Sequence, residues 1–372
     1  MTKYFGAVPE LIFAGLLITF APSFAAESRS DWEKTVEAGK KEGQVNIYHW
    51  GAPSAIEAGI FQKAYPEIKV VTTVGVGTQL MQRLLAERRG DKFIADIYIA
   101  GVATMATLYQ AKVFDPVRTA MLLPEVTDEA KWWRGKHLFS DAERRTVFTF
   151  AKNPDYGSIA INPKLADAKE FRSFWDFLQP KWRSKITVQD LRGGGPGTTN
   201  LRLVYYHPEL GPKFVRQLYT AMDTTLYRDS RMALDWLASG KYAVAFFVQN
   251  IEEAESKGLP VQQFKHPLKE GIGLSSKVGH IALLNKAPHP NAAKVFINWF
   301  LSREGQSTYQ RAVFNAQAPA DSLRIDIAKD FIPIADRRQD GIKYIDLDEP
   351  EYLDANPPVQ LLKEILSENA KK

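Results

Sequence analysis

The chain has 372 residues, of which 45% are hydrophobic and 24% charged, so it is long enough to bury two medium-sized cores. It contains no cysteine, which excludes disulfides, zinc thiolate sites, iron–sulfur clusters and cysteine nucleophiles. Its net charge of +5 comes from basic residues interspersed with acidic ones, a pattern typical of a solvated surface and not of a nucleic-acid-binding one.

The N-terminus has the pattern of an export signal. The apolar run Leu11–Phe20 is too short to span a bilayer, and the small residues Ser23 and Ala25 follow it. This pattern predicts a signal peptide over residues 1–25, cleaved before Ala26. We therefore expect an exported, soluble mature protein.

Strand-like and helix-like segments alternate between Gln44 and Gly101. The β-branched and aromatic runs Val45–Trp50, Ile68–Val74 and Asp96–Ile99 predict three strands, and apolar stripes with helical spacing lie between them. A β-α-β-α-β alternation is typical of a mostly parallel sheet.

Parallel sheets bind ligands at the carboxyl ends of their strands, where helix N-termini face the crevice. Trp50 follows the first predicted strand, and Gly77 and Thr78 follow the second. Glycine lets the backbone approach a ligand closely, and Thr78 either caps the next helix or donates its hydroxyl to a ligand. These three residues are therefore candidate ligand contacts.

The chain is expected to cross twice between two lobes. Strand-like residues near Phe148–Lys152 predict the first crossing, and the extended segment Ile272–Leu284 predicts the second. One lobe would then comprise residues 26–148 and 275–372, and the other lobe residues 149–274.

A glycine-rich turn in the second lobe is another candidate site. The predicted strand Ile186–Gln189 leads into Gly193–Thr199, which lacks both the Lys-Ser/Thr of a P-loop and the third glycine of a Rossmann fingerprint. Gly195 and Thr198 suit an anion-binding helix start, with an ordinary tight turn as the alternative.

Arg228 and Ser230 lie at a further predicted helix start. A guanidinium there can hold a carboxylate or phosphoryl group through two hydrogen bonds, and a hydroxyl can donate a third. The alternative is a surface ion pair of Arg228 with Asp229, with Ser230 capping the helix.

Motifs for metal binding or nucleophilic catalysis are weak. Three of the six histidines precede proline, and no His-x-x-x-His, His-x-x-Glu-His or Gly-x-Ser-x-Gly motif occurs. His49 and His280 fall near predicted strand ends, where a structural role is the simpler interpretation. Adjacent Tyr205 and Tyr206 are a possible ferric-iron pair, but their position near a helix start favours packing.

Seven segments between residues 44 and 310 carry a family resemblance, and they are VNIYHWG, FQKAYPEIKV, ADIYIAG, YGSIAINPKL, FWDFLQPKWRSKI, LASGKYAVAFF and HPNAAKVFINWFLSREGQ. The chain resembles the periplasmic substrate-binding proteins of ABC importers, in the ferric-iron-like group. This resemblance implies an α/β, two-lobed periplasmic binding protein type II fold with mostly parallel central sheets and a ligand cleft between the lobes. It also implies hinge closure on a ligand and delivery to a membrane permease.

The chain departs from the iron-binding members at one position. In those members a tyrosine pair follows the strand that matches Tyr242–Val248, and this chain has Gln249 and Asn250 there instead. We therefore expect Gln249 and Asn250 to contact a metal-free ligand through their amides. Tyr156, like Trp50, is a candidate for covering apolar ligand surface.

Together these observations predict a periplasmic protein that captures a small anionic organic solute and catalyses no reaction. The expected partners are that solute and an inner-membrane ABC permease, with no nucleic acid, no metal or other cofactor, and a monomeric state. One alternative is a ferric-iron or iron-chelate binder that uses tyrosines and His49. Another is an exported enzyme on the same lobed fold.

Overall fold

The computed structural model describes residues 22–50, 56, 59–195, 197–315 and 320–369. The apolar run of the predicted signal peptide lies outside these residues, and the predicted cleavage point lies within the first helix. No helix among the described residues is long and apolar enough to cross a membrane.

The regular elements of the described residues alternate as an α/β chain. The strands β1 to β15 are Gln44–His49, Lys69–Val74, Ile97–Ala100, Phe114–Asp115, Leu138–Phe139, Phe148–Thr149, Asn153–Asp155, Ile159–Ile161, Ile186–Gln189, Thr225–Tyr227, Val244–Phe246, Gln262–Gln263, Ile272–Ser275, His280–Leu284 and Tyr344–Asp346. The helices α1 to α12 are Pro22–Glu42, Ile60–Ala64, Gly77–Arg89, Val102–Gln110, Pro124–Thr127, Thr198–Tyr206, Gly211–Thr220, Ser230–Ala238, Ile251–Ser256, Pro290–Leu301, Arg303–Asn315 and Asn356–Asn369.

A seven-stranded sheet forms the first lobe. Its order is β2-β1-β3-β14-β6-β5, with β4 paired to β14. Strands β1, β2 and β3 are parallel, and β14 returns antiparallel to β3. Val45 and Ile47 of β1 lie in the main core, whereas Tyr48 lies in a cluster on the opposite face. Strand β1 is therefore covered on both faces of the sheet, as is usual for a strand in a parallel sheet.

A five-stranded sheet of order β10-β9-β11-β8-β12 forms the second lobe. Strands β9, β10 and β11 are parallel, and β8 is antiparallel to β11 and β12. Ile186 and Phe246 face the core of this lobe, and Tyr227 and Ala245 pack in a cluster on the other face. Each lobe thus has three parallel strands completed by antiparallel ones.

A three-stranded sheet of order β15-β13-β7, which we call the hinge sheet, joins the lobes. Strand β7 lies between β6 and β8 in the chain, and β13 lies between β12 and β14, so the chain crosses between the lobes twice. The two crossing strands are antiparallel, and β15 adds a third strand parallel to β13. The crossings therefore fall directly after Lys152 and within Ile272–Leu284.

The C-terminal segment contacts both lobes. Ala320 and Leu323 lie in the first core, β15 lies in the hinge sheet, and Leu362 and Ile365 of α12 lie in the second core. The predicted boundaries assign residues 275–372 to the first lobe. Helix α12 departs from that assignment because its apolar side chains pack against α7 in the second lobe.

Candidate functional site

A cavity of about 570 Å³ lies between the lobes, beside the hinge sheet. The starts of α4, α6 and α9 open into it, and the free N–H groups of helix N-termini favour negative charge. The lining comprises Trp50 and Gly101–Thr104 from the first lobe, Ser158, Thr199, Asn200, Arg202, Val248–Glu252 and Gln263 from the second, and Asp155, Ser275, Lys277, Val278 and Asp348 from the segments around the hinge sheet.

Trp50 forms the wall of the cavity on the side of the first lobe. Its backbone N–H donates to the carbonyl oxygen of Ile99 at 3.1 Å, and 42% of the residue is exposed. The indole lies over Gly77 and Gly101, where an added Cβ would be 3.4 and 3.9 Å from the nearest ring carbons. At Gly101 a Cβ would also lie 2.4 Å from the carbonyl oxygen of Lys277, so the close approach there requires glycine.

Asn200 forms part of the opposite wall. It is 3% exposed, and its Nδ2 donates to Ser158 Oγ at 2.7 Å. Its Oδ1 has no hydrogen-bond partner among the described residues, and the same holds for Gln263 Oε1. Leaving a buried acceptor unpaired costs about 1–3 kcal/mol, so a donor placed in the cavity would bind favourably at this wall.

Arg202 supplies a positive charge to the cavity. Its Nη1 donates to the carbonyl oxygen of Leu353 at 2.9 Å, and its Nη2 donates to Thr199 Oγ1 at 3.3 Å. Burial lowers the pKa of Arg202, and the Asp348 carboxylate opposes this effect. No carboxylate in the described part of the chain forms an ion pair with Arg202, and its Nε has no partner there. An anionic ligand group would complete its interactions.

The carboxylate of Asp348 is already compensated by the protein. Lys152, which is 3% exposed, forms ion pairs with Asp346 and with Asp348, the latter at 2.8 Å. Burial opposes ionisation of Asp348, but the Lys152 ammonium and the hydrogen bonds outweigh burial and lower its pKa. Asp348 therefore stays ionised at neutral pH without a ligand.

Asp155 is a second carboxyl at the cavity, and it lacks such a partner. Its Oδ1 accepts the N–H of Gly157 at 3.0 Å. Burial raises the pKa of Asp155, while the Gly157 hydrogen bond and the charge of Lys277 oppose the increase. No cationic side chain of the described residues forms an ion pair with it. Its charge is therefore less well compensated than that of Asp348.

Three of the residues predicted from the sequence, Trp50, Gln249 and Asn250, line this cavity. Ser230 lies behind them: its Oγ accepts the N–H of Gln249 at 3.1 Å, so it positions Gln249. Asn250 adopts a left-handed conformation, with φ of 61°, at the start of α9. Gly77 lies beneath Trp50 and receives the hydroxyl hydrogen bond of Tyr98 at its carbonyl oxygen.

Thr78, Tyr156 and Thr198 lie outside the lining. Thr78 is exposed on α3. Tyr156 is buried, and its hydroxyl donates to the carbonyl oxygen of Ala335 at 2.9 Å. Thr198 begins α6, and its Oγ1 has no partner in the described part of the chain, but it is the next residue, Thr199, that reaches the cavity.

Gly195 and Arg228 border a different cavity, of about 470 Å³, with Asp190 and Arg192. Arg228 Nε lies 3.4 Å from Asp190 Oδ2, and Arg192 bonds the same carboxylate at 2.7 Å. The Arg192 hydrogen bond lowers the pKa of Asp190 to about 2. Arg228 therefore forms a surface ion pair, as in the alternative interpretation, but its partner is Asp190. Asp229, the partner expected from the sequence, instead caps α8.

Asp155, Asn200, Arg202 and Gln263 were not identified from the sequence. Asn200 and Arg202 did leave a signal, because they are polar residues that closely follow the glycine-rich turn. Asp155 and Gln263 left none. They reach the cavity only through the positions of β7 and β12 in their sheets.

The tyrosine pair considered for iron does not reach the cavity. The Tyr206 hydroxyl donates to the carbonyl oxygen of Asp354 at 2.8 Å, and Tyr205 packs against the second core. His49 is buried, which lowers its pKa to about 4. Within the described ranges, no group of three or more His, Cys, Asp or Glu side chains is arranged to hold a metal ion.

A family model for bacterial extracellular solute-binding protein matches residues 51–307. The fold is similar to that of iron-bound HitA from Pseudomonas aeruginosa (19% identity, TM-score 0.56) and of Trichodesmium IdiA (FutA) in complex with iron and citrate (15% identity, TM-score 0.63). Each match covers 87% of this chain and 99% of the other. An ABC transporter structure from Clostridium perfringens matches with 15% identity and a TM-score of 0.62, over 86% and 99% of the two chains. These similarities confirm the two-lobed α/β fold expected from the sequence.

Proposed function

Because this chain belongs to the bacterial extracellular solute-binding protein family, we propose that it is the periplasmic solute-binding component of an ABC importer. It captures a small anionic organic solute between its lobes and delivers it to an inner-membrane permease. It works as a monomer after removal of the signal peptide, residues 1–25, and it catalyses no reaction.

The observation that supports this proposal most directly is the set of unpaired polar atoms around one cavity. Asn200 Oδ1, Gln263 Oε1 and Arg202 Nε belong to residues that line it, and none of these atoms has a partner in the described part of the protein. Buried polar groups are nearly always paired in folded proteins. A solute that pairs with all three atoms therefore gains affinity that water-exposed groups would not provide.

An anionic group on the solute suits Arg202 and the helix starts near it. Two hydrogen bonds fix the guanidinium, so little side-chain entropy is lost when a ligand binds. The starts of α4 and α6 add partial positive charge from opposite lobes. The cavity volume of about 570 Å³ suits a small organic molecule.

Closure follows from the distribution of contacts between the lobes. A solute held by Trp50 on one wall and by Asn200 and Arg202 on the other contacts both lobes fully only when they are close together. Such a ligand has higher affinity for the closed form and shifts the population towards it. The antiparallel crossing strands of the hinge sheet are where this movement would bend the chain.

The test begins with mature protein dialysed against a chelator. A thermal-shift screen would include organic acids, phosphonates, sugar phosphates, polyamines, thiamine and ferric citrate, because a ligand of the folded state raises the melting temperature. A shift with an organic acid or phosphate and none with iron supports the proposal. A shift with ferric iron alone, accompanied by visible colour, would instead establish the iron-binding alternative.

The best binder is then titrated calorimetrically into Arg202→Gln. Loss of a charge-assisted hydrogen bond of about 1.5–3 kcal/mol should weaken binding by about 10- to 100-fold. Arg228→Gln is the matched control, because Arg228 borders the separate cavity. The affinity of this variant for the same ligand should stay within about 2-fold of that of the parent protein. Equal effects of the two substitutions would contradict the assignment of this cavity. Melting temperatures of the ligand-free variants verify folding.

A further inference from the structure

The cavity presents two kinds of polar group, and they lie in different places. Asn200 and Gln263 each offer an unpaired amide oxygen, and Asp155 offers a carboxylate without an ion pair among the described residues, whereas Arg202 offers a donor and a positive charge. We propose that the solute is a zwitterion, with a protonated amino group bound by Asp155, Asn200 and Gln263 and an acidic group bound by Arg202. This inference rests on the proposed function and specifies its solute further, as one whose anionic group is accompanied by a protonated amino group.

The three acceptors are brought together by one short segment of chain. Asp155 ends β7, and Ser158, three residues further on, holds the Asn200 amide through its hydroxyl at 2.7 Å. Gln263 of β12 pairs in register with Ala160, the second residue of β8. The segment from residue 155 to 160 therefore places a carboxyl and two amides around the same part of the cavity.

The amide oxygens of Asn200 and Gln263 can each accept a hydrogen bond from a ligand. Asn200 is 3% exposed, and its Nδ2 is already used by Ser158, which leaves Oδ1 unpaired among the described residues. Gln263 Oε1 is in the same state. An ammonium group carries three donors and a positive charge, which matches two neutral acceptors and one carboxyl.

The charge of Asp155 needs compensation that the protein does not provide in full. Lys152 neutralises Asp348 and is paired with Asp346 as well, so it is not available to Asp155. Lys277 is exposed and forms no ion pair with Asp155 in the described part of the chain. Burial raises the pKa of Asp155, and a ligand cation would relieve that penalty.

Arg202 lies away from this acceptor group. Residues two positions apart on a helix point in different directions, so Asn200 and Arg202 project from different sides of α6. Arg202 also borders a neighbouring cavity of about 510 Å³ along α4, which Asp155, Asn200 and Gln263 do not reach. The amino and acidic groups of the solute should therefore lie at opposite ends of the molecule.

Calorimetric titration of the full mature protein with three matched series tests this inference. The series are straight-chain terminal amino carboxylates of two to six carbons, the same carboxylates without the amino group, and the corresponding alkylamines. The tightest amino carboxylate should bind at least 10-fold more tightly than its matched acid and its matched amine. If the matched acid binds as tightly or more tightly, the inference fails while the proposed function stands.

The substitution Asp155→Asn separates recognition from structure. It keeps an acceptor for the Gly157 N–H but removes the charge, so affinity for the amino carboxylate should fall by about 10- to 100-fold and affinity for the matched acid by less than about 3-fold. Equal losses for both ligands would show a structural role and overturn the inference. Glu253→Gln, an exposed carboxylate that pairs with Lys257 outside this cavity, is the control.

The thermal-shift panel distinguishes the remaining outcomes. If no amino carboxylate binds and the panel yields only a solute without an amino group, the inference is overturned and the proposed function remains. If the panel yields a solute with both an amino and an acidic group, Asp155→Asn should weaken its binding by about 10- to 100-fold, and an unchanged affinity overturns the inference. If the panel yields only a polyamine, which has no acidic group, the inference is also overturned. If no solute of any series or of the panel binds, the proposed function fails together with the inference.

Discussion

His49 and His280 lie on either side of β3, next to its carboxyl end. His49 pairs in register with Ile99, and His280 pairs with Ala100. Both side chains are fully buried, and burial lowers the pKa of each to about 4. His280 Nδ1 lies 3.0 Å from Ser276 Oγ. These features fit neutral imidazoles with a structural role.

The buried histidines predict a loss of stability in acid. Each has a folded-state pKa of about 4, below its usual 6.5, so the unfolded chain binds more protons between these values. Stability is therefore lost as the pH falls from about 6.5 to about 4, by at most about 3 kcal/mol for each histidine.

Urea unfolding at pH 7 and pH 4.5 measures this effect. His49→Leu should lose less stability on acidification than the parent protein, because it removes one of the groups that must stay neutral. His266→Gln, at an exposed histidine, serves as the control and should follow the parent protein. Equal acid sensitivity of His49→Leu and the parent would refute the prediction.

At the scale of single elements, the short strand β15 is held in the hinge sheet by a buried ion pair. The strand is three residues long and pairs with β13 alone in the hinge sheet. Its last residue, Asp346, and the nearby Asp348 both bind Lys152, which directly precedes β7. The pair therefore fastens the C-terminal segment to the first crossing strand.

The substitution Lys152→Met should destabilise the protein by about 3–5 kcal/mol, because it leaves Asp348 buried without its counter-charge. Lys257→Met, which removes only the exposed pair with Glu253, should change stability by little more than the error of measurement. Chemical unfolding of both variants at pH 7 gives the comparison. Similar stabilities of the two variants would show that the ion pair of Lys152 with Asp348 contributes little to the free energy of unfolding.

On the scale of the whole molecule, the two lobes are joined by three strands and not by two. The C-terminal segment begins in the first core with Ala320 and Leu323, passes through β15, and ends with α12 on the second core. Any closure of the cleft must therefore bend β7, β13 and β15 together.

Ligand binding should make the molecule more compact and more stable. At a free ligand concentration of about 100 times Kd, the free energy of unfolding should rise by about 2.7 kcal/mol. Small-angle scattering of the same sample should show a smaller radius of gyration. Arg202→Gln at the same ligand concentration should show a much smaller response. Calorimetric binding without any decrease in the radius of gyration would contradict hinge closure.

Local patterns predict many of the strands and helices, and the family resemblance of seven segments implies the two-lobed fold. The strand Ile186–Gln189 was predicted with its observed bounds, and Trp50, Gln249 and Asn250 were placed at strand ends that do line the cavity. Such predictions succeed because the periodicity of apolar residues and the position of strand ends are properties of neighbouring residues. The hydrogen-bond or ion-pair partner of a side chain, in contrast, often comes from a distant part of the sequence.

The tertiary structure alone decided which polar groups share the cavity. The sequence predicts Arg228 as an anion clamp, but in the structure its Nε lies 3.4 Å from Asp190, 38 residues earlier, at a separate cavity. Asp155 carried no local signal, and Arg202 only its position after the glycine-rich turn. They line the same cavity, in different parts of it, because the crossing strand and α6 face the same space. The sequence by itself determined two α/β lobes and, through its resemblance to known proteins, the solute-binding family. The chemistry of the site depended on long-range packing, because the charges that compensate a buried group come from segments that are distant in the sequence.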